Sequence, residues 1–196
     1  MNLPNQLTVS RLFLTVLFLL ALFLDSRISD TLALGLFVAA SLTDLFDGRI
    51  ARRRRLITNF GILMDPLADK ILICSAFIAF VERDLMSAWM VVIIVARELA
   101  ITGLRLLAAA KNVVLAAEGF GKHKTVTQIV AIIALLVLVS YPAWGPVGQA
   151  IFGLTVFGHP WVDLFAEAAK WVAVILTFVS GSLYLWRNRA LYLDDL

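Results

Sequence analysis

Four aspartates at the ends of two apolar runs are the residues of this sequence best suited to chemistry. Asp44 and Asp47 close one run, and Asp65 and Asp69 open the next. On helices, spacings of i,i+3 and i,i+4 put the two members of each pair on one face. If the two helices pack antiparallel across the Arg-rich stretch between them, all four carboxylates converge.

Carboxylates that converge among apolar helices need cations. An aspartate near the middle of a membrane helix costs roughly 2.5–3.5 kcal/mol, so four unpaired ones would cost on the order of 10 kcal/mol. Neighbouring arginines, of which Arg49 and Arg52 are nearest in sequence, could form a structural salt-bridge cluster. An all-oxygen site of this charge suits Mg²⁺, Mn²⁺ or Ca²⁺ better. We predict two divalent ions, Mg²⁺ or Mn²⁺, with the ligands Asp44, Asp47, Asp65 and Asp69.

The sequence is too apolar for a soluble domain and too short for two domains. It has 196 residues, of which 61% are hydrophobic, and its mean hydropathy is +0.92. We predict one all-α domain over residues 1–196, a polytopic membrane protein with a short N-terminal interfacial segment. Its six transmembrane helices are predicted at residues 8–25, 31–53, 63–82, 86–110, 121–141 and 167–187.

The distribution of Lys and Arg predicts the orientation of these helices. Most of the 17 basic residues adjoin the aspartates and the two termini, whereas the opposite loops hold Arg27, Arg83 and Lys170. Because positively charged loops stay in the cytoplasm, both termini and the aspartate cluster are predicted to be cytoplasmic. The net charge of +3 gives no sign of a nucleic-acid partner, and the single cysteine, Cys74, excludes an intrachain disulfide.

Two small residues beside Asp47 predict a place where a ligand comes close to the backbone. Gly48 and Ala51 lie one helical turn apart and form a shallow notch. Small residues at this spacing also serve close packing between helices, and the two roles can coexist.

Further along the chain, cationic side chains at two places favour binding of an anion. Arg97 and Arg105 are eight residues apart, close to two helical turns, and so share one helix face. Lys122 and Lys124 stand at a predicted helix N-terminus, where backbone N–H groups also attract anions. A salt bridge of Arg97 with Glu98 or an aspartate, and ordinary cytoplasmic lysines, are the structural alternatives. The anion is predicted to be a phosphate group of the ligand that contacts Arg97, Arg105, Lys122, Lys124 and Tyr184.

The spacing Asp44-x2-Asp47-Gly48-x2-Ala51-Arg52-x8-Gly61-x3-Asp65-x3-Asp69 resembles the signature of the CDP-alcohol phosphotransferases. This resemblance implies that the aspartates bind the metal ions and that Asp69 is the general base that deprotonates the acceptor hydroxyl. It also implies that the notch accepts the cytidine nucleotide and that the protein is a homodimer. The implied residues for CDP-diacylglycerol are Asp44, Asp47, Gly48, Ala51, Arg52 and Gly61.

Three further stretches resemble the branch of this family whose acceptor is glycerol 3-phosphate. They are the N-terminal pattern that ends at Arg11, the block AREL-AITGLR, and the block GKHKTVTQ. The resemblance covers most of residues 2–130. It implies transfer of a phosphatidyl group from CDP-diacylglycerol to glycerol 3-phosphate in the bacterial inner (cytoplasmic) membrane, with membrane lipids around the chain.

Other functions fit parts of the pattern. Within the family, the acceptor could be inositol phosphate, serine or phosphatidylglycerol. The cationic residues favour an acceptor that carries its own phosphate, which leaves inositol phosphate open on charge alone. A cation or proton transporter would also use intramembrane aspartates, but transporters commonly contain two related halves, and the sequence has no second copy of residues 44–69. The sequence leaves open the cellular metal, the dimer interface, the lipid route and the role of residues 142–166.

Overall fold

The computed structural model of the chain describes residues 3–24, 26–54, 59–111, 113 and 120–193. For residues 3–7, 27, 44–54, 59–66, 69 and 120–123 it describes the backbone alone. Nearly all of the described chain is helical, which confirms the prediction of an all-α protein.

Six long helices make up the bundle, and a short segment interrupts their sequence after the fifth. The long helices have 21 to 28 residues, which corresponds to about 31–42 Å. In chain order the elements are α1 (Leu3–Phe23), α2 (Arg27–Arg54), α3 (Asn59–Glu82), α4 (Ala88–Ala110), α5 (Phe120–Ser140), a 3-10 turn (Tyr141–Trp144), α6 (Gly145–Phe152), β1 (Thr155–Val156), β2 (His159–Pro160), α7 (Trp161–Arg187) and α8 (Ala190–Leu193).

The six predicted apolar segments each correspond to one long helix, but four helices begin four to six residues earlier than predicted, at Leu3, Arg27, Asn59 and Trp161. The interfacial segment expected before the first span is not separate from it, because residues 3–7 are the first turns of α1. Pro4 does not interrupt that helix, since the N–H it lacks has no partner in a first turn. The last long helix begins at Trp161 rather than at residue 167.

Contacts near the start of α2 show that α3 and α5 run antiparallel to it. Arg83, just after α3, forms an ion pair with Asp30 near the start of α2. Trp144 Nε1, after α5, donates a hydrogen bond to Thr31 Oγ1 at 3.0 Å. We call the end that contains these loops the hairpin end. The opposite end, where α2 and α4 finish and α3 and α5 begin, is the aspartate end.

Apolar side chains fill the interior of the bundle and also cover much of its outer surface. Phe18 and Phe37 are fully buried, with ring centroids 5.6 Å apart, whereas Phe13 and Val92 are exposed. Helices that are apolar on all sides are typical of membrane spans and of the cores of large proteins. Within the described residues, one stretch, Lys124–Phe152, is by itself long and apolar enough to cross a membrane. The prediction of six spans is therefore not confirmed.

The segment between α5 and α7, which the sequence left without a role, has a defined structure. It consists of the 3-10 turn, α6 and the two-stranded hairpin, in which Val156 pairs with His159. Phe152 lies at the centre of its packing, with ring centroids 5.5 Å from Trp144 and 5.8 Å from Trp161. We call residues 141–160 the connector.

Candidate active site

A buried carboxylate on α4 joins cations from two helices. Glu98 Oε1 accepts a hydrogen bond from Lys124 Nζ on α5, and Lys124 is only 4% exposed. The same oxygen accepts from Nη1 of the neighbouring Arg97 at 3.3 Å. Two cations therefore share this one buried carboxylate.

A second contact brings α3 against the same part of α4. Lys70 Nζ donates to Thr102 Oγ1, and Thr102 Oγ1 in turn donates to the backbone oxygen of Glu98 at 2.7 Å. Lys70 directly follows Asp69 in sequence. The backbone of the predicted general base therefore lies next to a residue that is anchored on the Glu98 cluster.

The side chain of Arg97 lies directly on a glycine of α7. A Cβ atom added to Gly181 would be 2.5 Å from Arg97 Cγ, closer than real Cβ contacts come. Only glycine at this position lets the arginine take the path that the structure shows. The close approach fixes Arg97 between α4 and α7, beside a cavity of about 300 Å³ that Ser182 and several apolar residues also line.

Polar atoms around Arg97 leave hydrogen-bonding capacity unused. Among the described residues, Arg97 Nε and the hydroxyl of Tyr184 are buried and have no hydrogen-bond partner. Tyr184 is 5% exposed and packs against Ile101 and Leu104. Arg105 is exposed and lies about two helical turns after Arg97 on α4. Three of the predicted phosphate-binding residues are thus brought together.

Of the two lysines predicted to bind phosphate, the structure describes the side chain of one. The side chain of Lys122 is outside the described residues. Lys124 is described, and its ammonium group is paired with Glu98. Lys124 therefore forms a salt bridge between α5 and α4. The sequence analysis considered such a structural salt bridge for Arg97 but not for Lys124. A phosphate-binding role for Lys124 stays a prediction.

The helices that carry the four aspartates are neighbours. Asp44 and Asp47 lie in α2, Asp65 and Asp69 lie in α3, and the two helices contact each other. The side chains of these aspartates are outside the described set, as are those of Gly48, Ala51, Arg52 and Gly61. The described side chains contain no group of three or more His, Cys, Asp or Glu residues that could bind a metal. Convergence of the four carboxylates therefore stays a prediction.

Sequence reasoning missed the structural roles of Lys70, Glu98 and Gly181. Glu98 was considered only as a partner for Arg97, and Lys70 only as a cytoplasmic charge. A signal for both exists in the sequence, because a charged residue within an apolar helix needs a partner. The identity of that partner depends on how the helices pack. The spacing of residues within one helix carries no information on that packing.

An apolar helical bundle with a basic cluster beside an aspartate-bearing helix pair fits an enzyme that handles anionic lipid precursors. The family model for CDP-alcohol phosphatidyltransferase matches residues 1–179. The chain belongs to this family, which confirms the resemblance of the aspartate signature.

Curated relatives cover nearly the whole chain. A protein of Bacillus subtilis (strain 168) is 40% identical over 95% of both chains. One from Rickettsia felis is 34% identical over 93% of both, and one from Sodalis glossinidius is 31% identical over 96% of both. All three carry the name CDP-diacylglycerol–glycerol-3-phosphate 3-phosphatidyltransferase.

Proposed function

We propose that the protein transfers the phosphatidyl group of CDP-diacylglycerol to sn-glycerol 3-phosphate and releases CMP. The observation that carries this proposal is the 40% identity to the Bacillus enzyme over 95% of both chains. The product is phosphatidylglycerophosphate, an intermediate of phospholipid biosynthesis. The proposal agrees with the sequence-based assignment of donor and acceptor.

The cluster around Arg97 supports an acceptor that carries a phosphate. A buried donor without a partner costs about 1–3 kcal/mol, and a phosphate oxygen would relieve that cost at Arg97 Nε and at the Tyr184 hydroxyl. The guanidinium of Arg105 adds a planar set of donors that suits phosphate geometry. Serine carries one carboxylate and no phosphate, so it would offer these donors fewer acceptor oxygens.

The donor set of the signature fits a hard divalent cation, because four carboxylates supply only oxygen ligands. We propose that Asp44, Asp47, Asp65 and Asp69 hold Mg²⁺ or Mn²⁺. When bound, such ions would offset the charge of the pyrophosphate and of the departing CMP. Gly48, Ala51, Arg52 and Gly61 would then bind the cytidine nucleotide.

The proposed reaction is an in-line displacement at the phosphorus that bears diacylglycerol. A hydroxyl oxygen of glycerol 3-phosphate forms a bond to this phosphorus, and the bond to the CMP oxygen breaks. CMP leaves with the bonding electrons, and Asp69 takes the hydroxyl proton. The contact of Lys70 with Thr102 supports this role, since it holds the residue next to Asp69 against the helix of the acceptor cluster.

We further propose that the six long helices all cross the inner (cytoplasmic) membrane of a bacterium, with the aspartate end in the cytoplasm. Each helix has at least 21 residues, enough for a hydrocarbon core of about 30 Å. The outward-facing apolar residues of α1 and α4 support this arrangement. We also propose a homodimer, because the family resemblance implies one.

A transfer assay tests the proposed function. The purified protein in lipid vesicles is given CDP-diacylglycerol, Mg²⁺ and radiolabelled glycerol 3-phosphate. We expect the label to enter the lipid phase and CMP to appear in equal amount. Hydrolysis of CDP-diacylglycerol without labelled lipid, or no reaction at all, would overturn the proposal.

The glycine beneath Arg97 gives a prediction that links packing to acceptor binding. Gly181→Ala forces the base of the Arg97 side chain to move, because the new Cβ overlaps Arg97 Cγ. One charged hydrogen bond contributes about 1.5–3 kcal/mol, so we expect the KM for glycerol 3-phosphate to rise about 10-fold or more. Steady-state kinetics with each substrate varied in turn measures the effect.

The matched control for this change is Gly35→Ala in α2. An added Cβ at Gly35 meets nothing within 4 Å, and alanine favours a helix more than glycine does. This variant should keep the wild-type KM. If folded Gly181→Ala also keeps it, Arg97 does not bind the acceptor in the orientation that the structure shows.

A further inference from the structure

The connector contains no Lys, Arg, Asp or Glu, and its one histidine, His159, lies 3.7 Å from Asp163 of α7. Residues 125–162 contain no Lys, Arg, Asp or Glu. Helix α5 alone has 21 residues, about 31 Å, which is enough to cross the hydrocarbon core once. The uncharged stretch therefore continues through the connector after a crossing by α5 is complete.

The connector also turns large apolar side chains outward. Val147 and Ile151 are exposed and lie four residues apart, so they share one face of α6. Leu154 follows them at 62% exposure. At the tip of the hairpin Phe157 is 94% exposed, the highest value for any large apolar residue described. A surface of this composition is unfavourable in water.

The backbone at the hairpin tip holds the phenylalanine in an unfavourable conformation. Phe157 has φ of 52° and Gly158 has φ of 83°, the signs required in a tight two-residue turn. Glycine and asparagine suit this region, whereas a bulky side chain costs roughly 1–2 kcal/mol. The sequence thus places an aromatic ring at the tip where a smaller polar residue would suit the turn better.

Hydrogen bonds and close packing hold the backbone of the connector in place. Trp161 Nε1 donates to the backbone oxygen of Ile151 at 2.7 Å, and the Trp161 amide donates to that of Leu154 at 2.9 Å. Gly148 is buried against the backbone oxygen of Tyr141, with no room for a Cβ. These contacts join α6 and the hairpin to the start of α7, and Trp144 Nε1 joins the 3-10 turn to Thr31 of α2, so the outward apolar face has a fixed position.

We propose that the connector is a membrane-binding element that lies in the bilayer interface at the hairpin end. Val147, Ile151, Leu154 and Phe157 enter the boundary between headgroups and acyl chains, where apolar and aromatic residues are favoured. The partner is the phospholipid of the leaflet opposite the aspartate end. The lack of charge and the continuity with the apolar outer surface of the bundle support lipid over a protein partner. The inference rests on the proposed membrane arrangement, but not on the proposed reaction.

Single-cysteine labelling tests this proposal, because Cys74 is the only native cysteine and Cys74→Ser supplies the background. Nitroxide labels are placed through Phe157→Cys, Ile151→Cys and the control Gln149→Cys. Gln149 is exposed on the face of α6 opposite Ile151. In phosphatidylethanolamine and phosphatidylglycerol vesicles, collisions with oxygen and with a water-soluble nickel chelate give the depth of each label.

We expect labels 157 and 151 to lie about 5–10 Å into the interface, with frequent oxygen collisions and few chelate collisions. Label 149 should collide with the chelate more often. Equal access of the chelate to labels 157 and 149 would overturn the proposal. Protection of label 157 from both oxygen and the chelate would also overturn it, because that result indicates that protein, such as a second copy of the chain, covers Phe157. A further label at Val130, which is exposed on α5, separates the connector proposal from the membrane arrangement. If label 130 is in lipid and label 157 is in water, the connector proposal alone is wrong. If both labels are in water, the membrane arrangement is wrong.

Discussion

Asp69→Asn is expected to abolish phosphatidyl transfer while the protein still folds and binds CDP-diacylglycerol. An amide cannot accept the proton of the acceptor hydroxyl, and loss of a general base lowers kcat by about 10²-fold to 10⁴-fold. The side chains of Asn and Asp have nearly the same size, so steric effects are minor. Single-turnover kinetics at saturating Mg²⁺ measures the loss.

A matched control is Asp84→Asn, in the turn that follows the opposite end of α3. Asp84 is exposed and has φ of 54°, a conformation that asparagine tolerates as well as aspartate does. This variant should keep full activity. Wild-type kcat in Asp69→Asn at saturating metal would show that another group takes the proton.

The other three aspartates should respond differently. Asp44→Asn, Asp47→Asn or Asp65→Asn removes one ligand charge, so activity is lost together with metal affinity. Asp69 is also a predicted ligand, so Asp69→Asn should weaken Mn²⁺ binding, measured by electron paramagnetic resonance, as well. Its loss of kcat at saturating metal is the further effect that the role of the base adds.

Arg105→Ala is expected to raise the KM for glycerol 3-phosphate by about 10-fold to 100-fold, since hydrogen bonds to charged groups contribute roughly 1.5–3 kcal/mol each. The KM for CDP-diacylglycerol should change far less. Arg105→Lys should restore only part of the affinity, because an ammonium group cannot reproduce the bidentate geometry. Kinetics with each substrate varied in turn distinguishes these outcomes.

Arg189→Ala is the control for this change. Arg189 is exposed, follows α7 at the aspartate end and lies over the ring of Trp186 at 4.4 Å, so the variant removes the same charge from that end. It should leave both KM values unchanged. An equal rise in both arginine variants would indicate general electrostatic attraction, and a defect confined to CDP-diacylglycerol would place Arg105 at the donor.

Substitution of Lys124 is a poorer test of phosphate binding than the sequence suggests. Its ammonium group forms the shorter of the two ion pairs of the buried Glu98, so Lys124→Met leaves this carboxylate with the longer contact to Arg97. Removing one member of a buried ion pair destabilises a protein strongly. A loss of activity in that variant would therefore reflect folding as much as binding.

Periodicity and local composition were sufficient to place the six long helices and to assign the family. Apolar runs define each helix, and the aspartate signature lies within one short stretch of α2 and α3. The early start of α7 was missed, because it depends on the hairpin: the Trp161 amide bonds to Leu154 and the helix begins directly after Pro160. Such a contact depends on the fold of the whole connector.

The contacts of the acceptor cluster could not be predicted, for a related reason. Glu98 and Lys124 come from different helices, and so do Arg97 and Gly181. From the sequence alone, many different pairings of acidic and basic residues would neutralise the buried charges of an apolar bundle equally well. The packing of α4 against α3, α5 and α7 selects one of them.

The most direct test of the central claim is a competition between acceptors. The protein in vesicles receives CDP-diacylglycerol, Mg²⁺ and equal concentrations of glycerol 3-phosphate, inositol phosphate and serine, and mass spectrometry identifies the lipid products. We predict that phosphatidylglycerophosphate dominates and that its amount equals the CMP released. Phosphatidylserine or phosphatidylinositol phosphate as the main product would contradict the assignment of glycerol 3-phosphate as the acceptor.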